Sequence, residues 1–167
     1  MQILVPISGY SPFFSDDDYF FPKPLVEVVG RPMIELVVTQ LKKQLNETSF
    51  IFVVDRNDAR KFSIDQAVKL IAGKDTLVVE RMGEASGALC SCLLAIEKLD
   101  PDSPLIISNS DQIFDCDLRE HILQFQESGA DAGVITFNST HPRWSYVVEA
   151  EGNRVAQTFE KKVVSNI

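Results

Sequence analysis

Four places in this chain hold residue types suited to phosphate and metal chemistry. Lys23 stands between two prolines in Pro22-Lys23-Pro24-Leu25. Each proline holds its own φ at about −65°, so the lysine ammonium hangs from a stiffened backbone that can keep it in one direction. Ser8 and Gly9 follow the apolar run QILVPI, and a glycine turn after a strand exposes backbone N–H groups as the beginnings of an anion nest. Asp111 lies in SNSDQ, directly after the apolar run PLIIS. One carboxylate there can take one or two positions of an octahedral Mg²⁺ whose other ligands are waters and phosphate oxygens. Glu160 and Lys161 follow RVAQTF, one offering hydrogen bonds to hydroxyls and the other a charge for phosphate.

Each of these also has an ordinary explanation. Lys23 would otherwise be a solvated loop lysine, with the six aromatic residues before it packed over the end of a sheet, and short loop motifs recur by chance. Asp111 would be a turn aspartate ahead of the next helix, and Glu160 with Lys161 a solvated charge pair. Trp144 and Tyr146 stand two apart in WSYVVEA, so on a strand both face one side. That side is either ordinary sheet packing or a surface against which a sugar ring lies. His121 and His141 are far apart and lack ligand spacing, so neither is assigned to a metal. Cys90 and Cys92 fall in GALCSCLLA, read as a buried helix, where a C-S-C triplet is no metal motif.

The order of the elements is what would bring the four places together. QILVPI is followed by MIELVVTQLKKQL, whose apolar positions 33, 34, 36, 37, 38, 41 and 45 form one broad helical face. FIFVV precedes the helical pattern IDQAVKLIAG, TLVVE precedes GALCSCLLAIEKL, and PLIIS precedes DLREHILQFQESG, with Asp117 as N-cap and Gly129 as the stop. FIFVV and PLIIS do not alternate, so helices are expected over both of their faces. Such alternation predicts an α/β fold with a doubly wound, mainly parallel, Rossmann-like sheet. After Ala130 the texture changes: AGVITF, WSYVVEA and RVAQTFE read as strands without helices between them, with EGN as a tight turn. They predict an antiparallel extension on one edge. Ligands of open α/β sheets bind outside the carboxyl ends of the strands, which directs attention to the residues just after Ile7, Glu80, Ser108 and Phe137. The chain reads as a single domain over 1–167 that breaks off at KKVVSNI, as another strand begins, and so as a domain missing its C-terminal part.

Composition narrows the partners. A chain of 167 residues can bury a real core as one domain. Its net charge of −8 argues against a nucleic-acid groove, which needs a basic stripe to neutralise phosphates. A small phosphorylated ligand stays open, provided a divalent cation or a few placed lysines offset the repulsion. No segment reaches the roughly 18 apolar residues of a spanning helix, and MQILVPIS lacks the basic start of a signal peptide. Three cysteines make no disulfide framework. The expectation is a cytoplasmic protein with reduced, largely buried thiols, no nucleic-acid partner and no membrane partner.

Taken in order, a strand, a glycine turn, PKPL, GRPMIE, GALC, NSDQ, WSYV and finally Glu160-Lys161 resemble the sugar-phosphate nucleotidylyltransferases. Those have the GT-A-like nucleotide-diphospho-sugar transferase fold, and the likeness runs from Ile3 to Ile167. It is closest to the bacterial members found with capsule and surface-polysaccharide genes. The resemblance implies that Lys23 contacts the reacting phosphates, that Asp111 binds Mg²⁺, and that Ser8, Gly9 and Gly87 lie against the nucleotide, Gly87 near its base. It further implies that Glu160, Lys161 and Tyr146 belong to the sugar-phosphate side. The partners would be a nucleoside triphosphate and a sugar 1-phosphate, with room for a homo-oligomer. The implied reaction is in-line attack of a sugar 1-phosphate oxygen on the α-phosphorus with loss of pyrophosphate. It needs positioning and charge neutralisation more than a nucleophilic side chain.

One part departs from the pattern. The family's loop reads G-x-G-x-R-F or G-x-G-x-R-L, whereas here Ser11 stands at the second glycine and Phe13 at the arginine. Pro12 has no N–H to give, Ser11 crowds a backbone that should lie against phosphate, and Asp16, Asp17 and Asp18 add negative charge. An arginine contact of that kind is worth roughly 1.5–3 kcal/mol. The alternative to an enzyme is therefore a non-catalytic relative that binds a sugar phosphate, a nucleotide or a partner protein. The enzyme is preferred because PKPL, NSDQ and Glu160-Lys161 are all present.

Overall fold

The computed structural model describes residues 1–8, 19–142 and 144–160. Two compact units divide at Arg119 and Glu120. The first is built on a parallel sheet of β1 (Gln2–Pro6), β4 (Ser49–Asp55), β5 (Leu77–Arg81) and β6 (Leu105–Ile107), in the order β5-β4-β1-β6. A short antiparallel pair, β2 (Glu27–Val28) and β3 (Arg31–Pro32), turns through Val29 and Gly30 into the first helix. The helices are α1 (Met33–Gln44), α2 (Arg56–Phe62), α3 (Ile64–Ala72) and α4 (Ala88–Leu93). The second unit contains most of α5 (Leu118–Glu127) and a two-stranded antiparallel ladder, β7 (Tyr146–Ala150) with β8 (Arg154–Phe159).

The core follows from the two central strands. Ile3, Leu4 and Val5 of β1 and Phe50 to Val54 of β4 are all buried, as expected of strands covered on both faces. Alternation sends Leu4, Ile51 and Val53 to one face, where they cluster with Cys92 and Ala95. The other face is left to α1 and α3, which touch each other and bury Ile34, Val37, Val38 and Leu41 from one and Ile64 and Val68 from the other. Positions 33 and 36 of the expected α1 face are only half-buried.

Several sequence expectations need correction. PLIIS is not covered on both faces: β6 is an edge strand, with Leu105 and Ile107 at 40% and 53% exposure. GALCSCLLAIEKL is not one helix. α4 ends at Leu93, and three-residue turns close on Leu94 and Ala95 before a 3₁₀ turn at Ile96–Lys98. Cys92 is buried in it but Cys90 is exposed, and Cys90, Cys92 and Cys116 are all free thiols. AGVITF forms no strand; a strand needs a neighbour to complete its ladder, and here Val134, Ile135 and Phe137 stay exposed. Trp144 precedes β7 and packs edge-on against Phe137, so it does not share a strand face with Tyr146. The EGN turn is as expected, with Gly152 and Asn153 both at positive φ between β7 and β8. Asp117 caps α5 by accepting from the Arg119 N–H, and Gly129 follows that helix at φ 64°. Among the described residues no helix is long and apolar enough to cross a membrane.

Candidate functional site

The site is assembled at the carboxyl ends of the first unit's strands. Lys23 opens a 3₁₀ turn, Lys23–Leu25, entered from Pro22 in the extended region and followed by the buried Pro24. Its ammonium therefore leaves a backbone held on both sides. Asp111 lies four residues beyond β6, in a loop that begins with Ser108 donating its N–H to the Leu4 carbonyl. The Lys23 Nζ reaches Asp111 Oδ2 at 2.6 Å, with both side chains partly open to solvent. An ammonium and a carboxylate 88 positions apart in the chain thus meet past the carboxyl end of β6.

The Asp111 loop is held from behind by α1. Gln40 Oε1 accepts the Phe114 N–H at 2.9 Å while its Nε2 donates to the Phe114 carbonyl. One turn on, Gln44 Oε1 accepts the Leu118 N–H at 2.8 Å. Glutamines four apart on a helix face the same side, so α1 pins the loop through its amides while its apolar stripe packs on the sheet. Removing both partners of Phe114 leaves a partly buried peptide unpaired. Gln40→Ala is therefore expected to destabilise the protein by about 1–3 kcal/mol, and Gln44→Ala by less. Urea unfolding of the two variants checks the order.

A second group of residues gathers on the other side of β1. Ser8, buried, donates its Oγ to Ser91 Oγ of α4 at 3.4 Å. The Ser91 N–H and hydroxyl both turn back to the Gly87 carbonyl, at 3.2 and 3.5 Å. Ser8 and Gly87 are thereby joined through one serine. Gly87 has φ 154° and ψ 175°, and a Cβ there would meet nothing within 4 Å, so backbone conformation and not space selects the glycine. Arg81, the last residue of β5, donates from Nη2 to the Ser8 carbonyl at 2.6 Å and to Asp55 Oδ2 at 2.8 Å.

Gly9 and Lys161 lie outside the described residues, as do Ser11, Pro12, Phe13 and Asp16 to Asp18. Tyr146 is 1% exposed and its hydroxyl donates to the His141 carbonyl at 2.8 Å. Glu160 directly follows β8 in the second unit and is exposed. Sequence reasoning pointed to the position after Glu80 but gave Arg81 no role, and it missed Asp55, Ser91 and Gln40. For Gln40 and Gln44 the available signal was their spacing of four within the polar stripe of an amphipathic helix. Burial pushes the Cys92 thiol up, so it stays protonated and takes no nucleophilic part.

The donor set fits a hard cation of modest protein demand. Asp111 offers carboxylate oxygens at a partly open position, and among the described residues no three His, Cys, Asp or Glu side chains gather as a metal cage. One carboxylate with water and phosphate oxygens for the rest is how Mg²⁺ is held in phosphoryl-transfer sites. A tetrahedral nitrogen-sulfur site for Zn²⁺ does not match it.

Comparison with known proteins gives the family and the fold. A family model described as a MobA-like NTP transferase domain matches residues 18–161. Among solved structures, the nucleoside-diphosphate-sugar pyrophosphorylase from Vibrio cholerae RC9 superposes with a TM-score of 0.74 at 22% identity, covering 98% of this chain and 68% of that one. The inositol-1-phosphate CTP transferase from T. maritima gives 0.71 at 17% identity, covering 99% and 66%. HddC from Yersinia pseudotuberculosis gives 0.68 at 18%, covering 95% and 68%. This chain spans about two thirds of the length of these proteins. No curated protein matches it by sequence.

Proposed function

Because this chain belongs to the MobA-like NTP transferase domain family, we propose that it transfers a nucleotidyl group from a nucleoside triphosphate to a sugar 1-phosphate. The product would be a nucleotide sugar for surface-polysaccharide synthesis in the cytoplasm. The observation that carries the reading is the meeting of Lys23 Nζ and Asp111 Oδ2 at 2.6 Å, four residues past the carboxyl end of β6.

The chemistry needs no nucleophile from the protein. An oxygen of the sugar phosphate attacks the α-phosphorus, the new P–O bond forms in line with the one that breaks, and pyrophosphate leaves with its electron pair. The protein's part is to hold the two anions together and to offset their charge. Lys23 exchanges its carboxylate partner for a phosphate oxygen, and Asp111, released, would hold Mg²⁺. Bound there, the ion would supply positive charge to offset the phosphate oxygens. Ser8, Gly9 and Gly87 carry the nucleotide side. Glu160 and Lys161 carry the sugar phosphate, with Tyr146 paired opposite Phe159 on the strand beside the one that leads to them.

The test is a screen of the protein with Mg²⁺, the common nucleoside triphosphates and a set of sugar 1-phosphates, reading released pyrophosphate. At least one pairing is expected to give sustained release. Heat stabilisation by a ligand with zero product for every pairing would favour the non-catalytic binder, a reading that the absent arginine at Phe13 supports.

A further inference from the structure

We infer that Arg81 is a positioning residue of the nucleotide site, fixing the root of the phosphate loop from across the sheet; this rests on the nucleotidyl-transfer reading. Between Ser8 and Lys23 there is no lysine or arginine, and there are three aspartates. A polyanion bound beside this stretch finds no cation within it. Lys23 supplies charge at its far end, and Arg81, whose own charge is matched by Asp55, fixes the backbone at its near end.

The placement follows from register. Arg81 ends β5 opposite Asp55, which ends β4. Since the strand order is β5-β4-β1, the guanidinium must cross the end of β4 to reach the Ser8 carbonyl just past β1. Asp55 is itself fixed, because its Oδ1 accepts the Asn57 N–H and caps α2 while its Oδ2 takes Arg81. One guanidinium thus ties three neighbouring strand ends together. Its grip on Ser8 has a chemical consequence. A carbonyl oxygen turned toward a phosphate repels it, and Arg81 occupies that oxygen and keeps it turned away.

Arg81 is 12% exposed, and its Nε is buried with no hydrogen-bond partner. An unpaired buried donor is unfavourable, and methionine, which has similar reach, carries none. What methionine cannot do is hold the Ser8 carbonyl and the Asp55 carboxylate at once.

The experiment compares wild type with Arg81→Met and Arg81→Lys. Its readouts are steady-state kinetics on the pairing found in the screen and hydrogen exchange of peptides containing Ser8 or the β4 interior. Arg81→Met is expected to raise the nucleotide KM at least about tenfold, leaving kcat and the sugar-phosphate KM within about twofold. Exchange should quicken around Ser8 and not in β4. Arg81→Lys, which keeps the charge but not the fork, should fall between the two. An unchanged nucleotide KM in Arg81→Met, or exchange rising equally in β4, overturns the assignment. If the wild type turns over no pairing, the functional reading fails by itself. The exchange arm then still decides the anchor: faster exchange confined to Ser8 supports it, and no change overturns it.

Discussion

Asp111→Ala is expected to abolish measurable pyrophosphate release, a loss of at least about 10²–10³-fold in kcat/KM, while leaving the protein folded. The two halves of this result have separate causes. Asp111 is paired with Lys23 at 2.6 Å, and in the proposed reaction its carboxylate holds the cation that offsets the triphosphate. The pair itself contributes little to stability. Its side chains are 22% and 35% exposed, and ion pairs so open to water are worth about 0–1 kcal/mol. For a chain of this size that is a shift of roughly 2–4 °C at most. Asp111→Asn keeps the shape and removes the charge, so it should be nearly as inactive as the alanine. Calorimetry beside the pyrophosphate assay separates the outcomes. An active Asp111→Ala sinks the proposed site, and an unfolded one would show that the pair carries the fold instead.

The largest loss of stability is expected from Phe52→Ala, at about 3–5 kcal/mol. Phe52 is 0% exposed in the central strand β4 and lies nearly parallel to Phe50, with ring centroids 6.0 Å apart. Truncation removes apolar surface from the middle of a close-packed layer, and the neighbouring strands cannot close the gap because their backbones are fixed by parallel pairing on both sides. Domains have only about 5–15 kcal/mol in total, so the variant should be largely unfolded at moderate temperature. Leu70→Ala is the control: Leu70 is 87% exposed and its truncation should stay within about 0.5 kcal/mol. Urea midpoints settle both, and a Phe52 variant as stable as the Leu70 one would mean that β4 is not the core.

The parallel sheet was legible in the sequence because each of its strands is a short apolar run set off by a helical pattern, and in β1 and β4 burial on both faces leaves little choice of residue type. QILVPI and FIFVV became β1 and β4 with nearly the expected bounds. Where the expectation failed, partnership was the missing ingredient. PLIIS reads like FIFVV, yet one is an edge strand and the other is central, because coverage depends on what packs beside a strand and not on its own residues. AGVITF has strand composition and no ladder. GALCSCLLAIEKL has helical periodicity throughout but closes into tighter turns near Ala95, where the chain must bend toward β6.

The residue types at the candidate site were set by the sequence alone: a lysine between prolines, a carboxylate after an apolar run, a glycine ahead of a helix, and a loop without basic residues. Chain-local chemistry dictates these, since proline restricts φ, glycine tolerates Gly87's backbone and aspartate caps or ligates wherever it stands. Only tertiary structure decided which of them meet. Lys23 meets Asp111 although the two stand 88 positions apart in the chain. Arg81 reaches Ser8 because β5 ends two strands away from β1 on the same edge. Strand order is a property of the whole packed sheet, fixed by the burial of apolar faces that lie far apart along the chain, and no short stretch of residues records it.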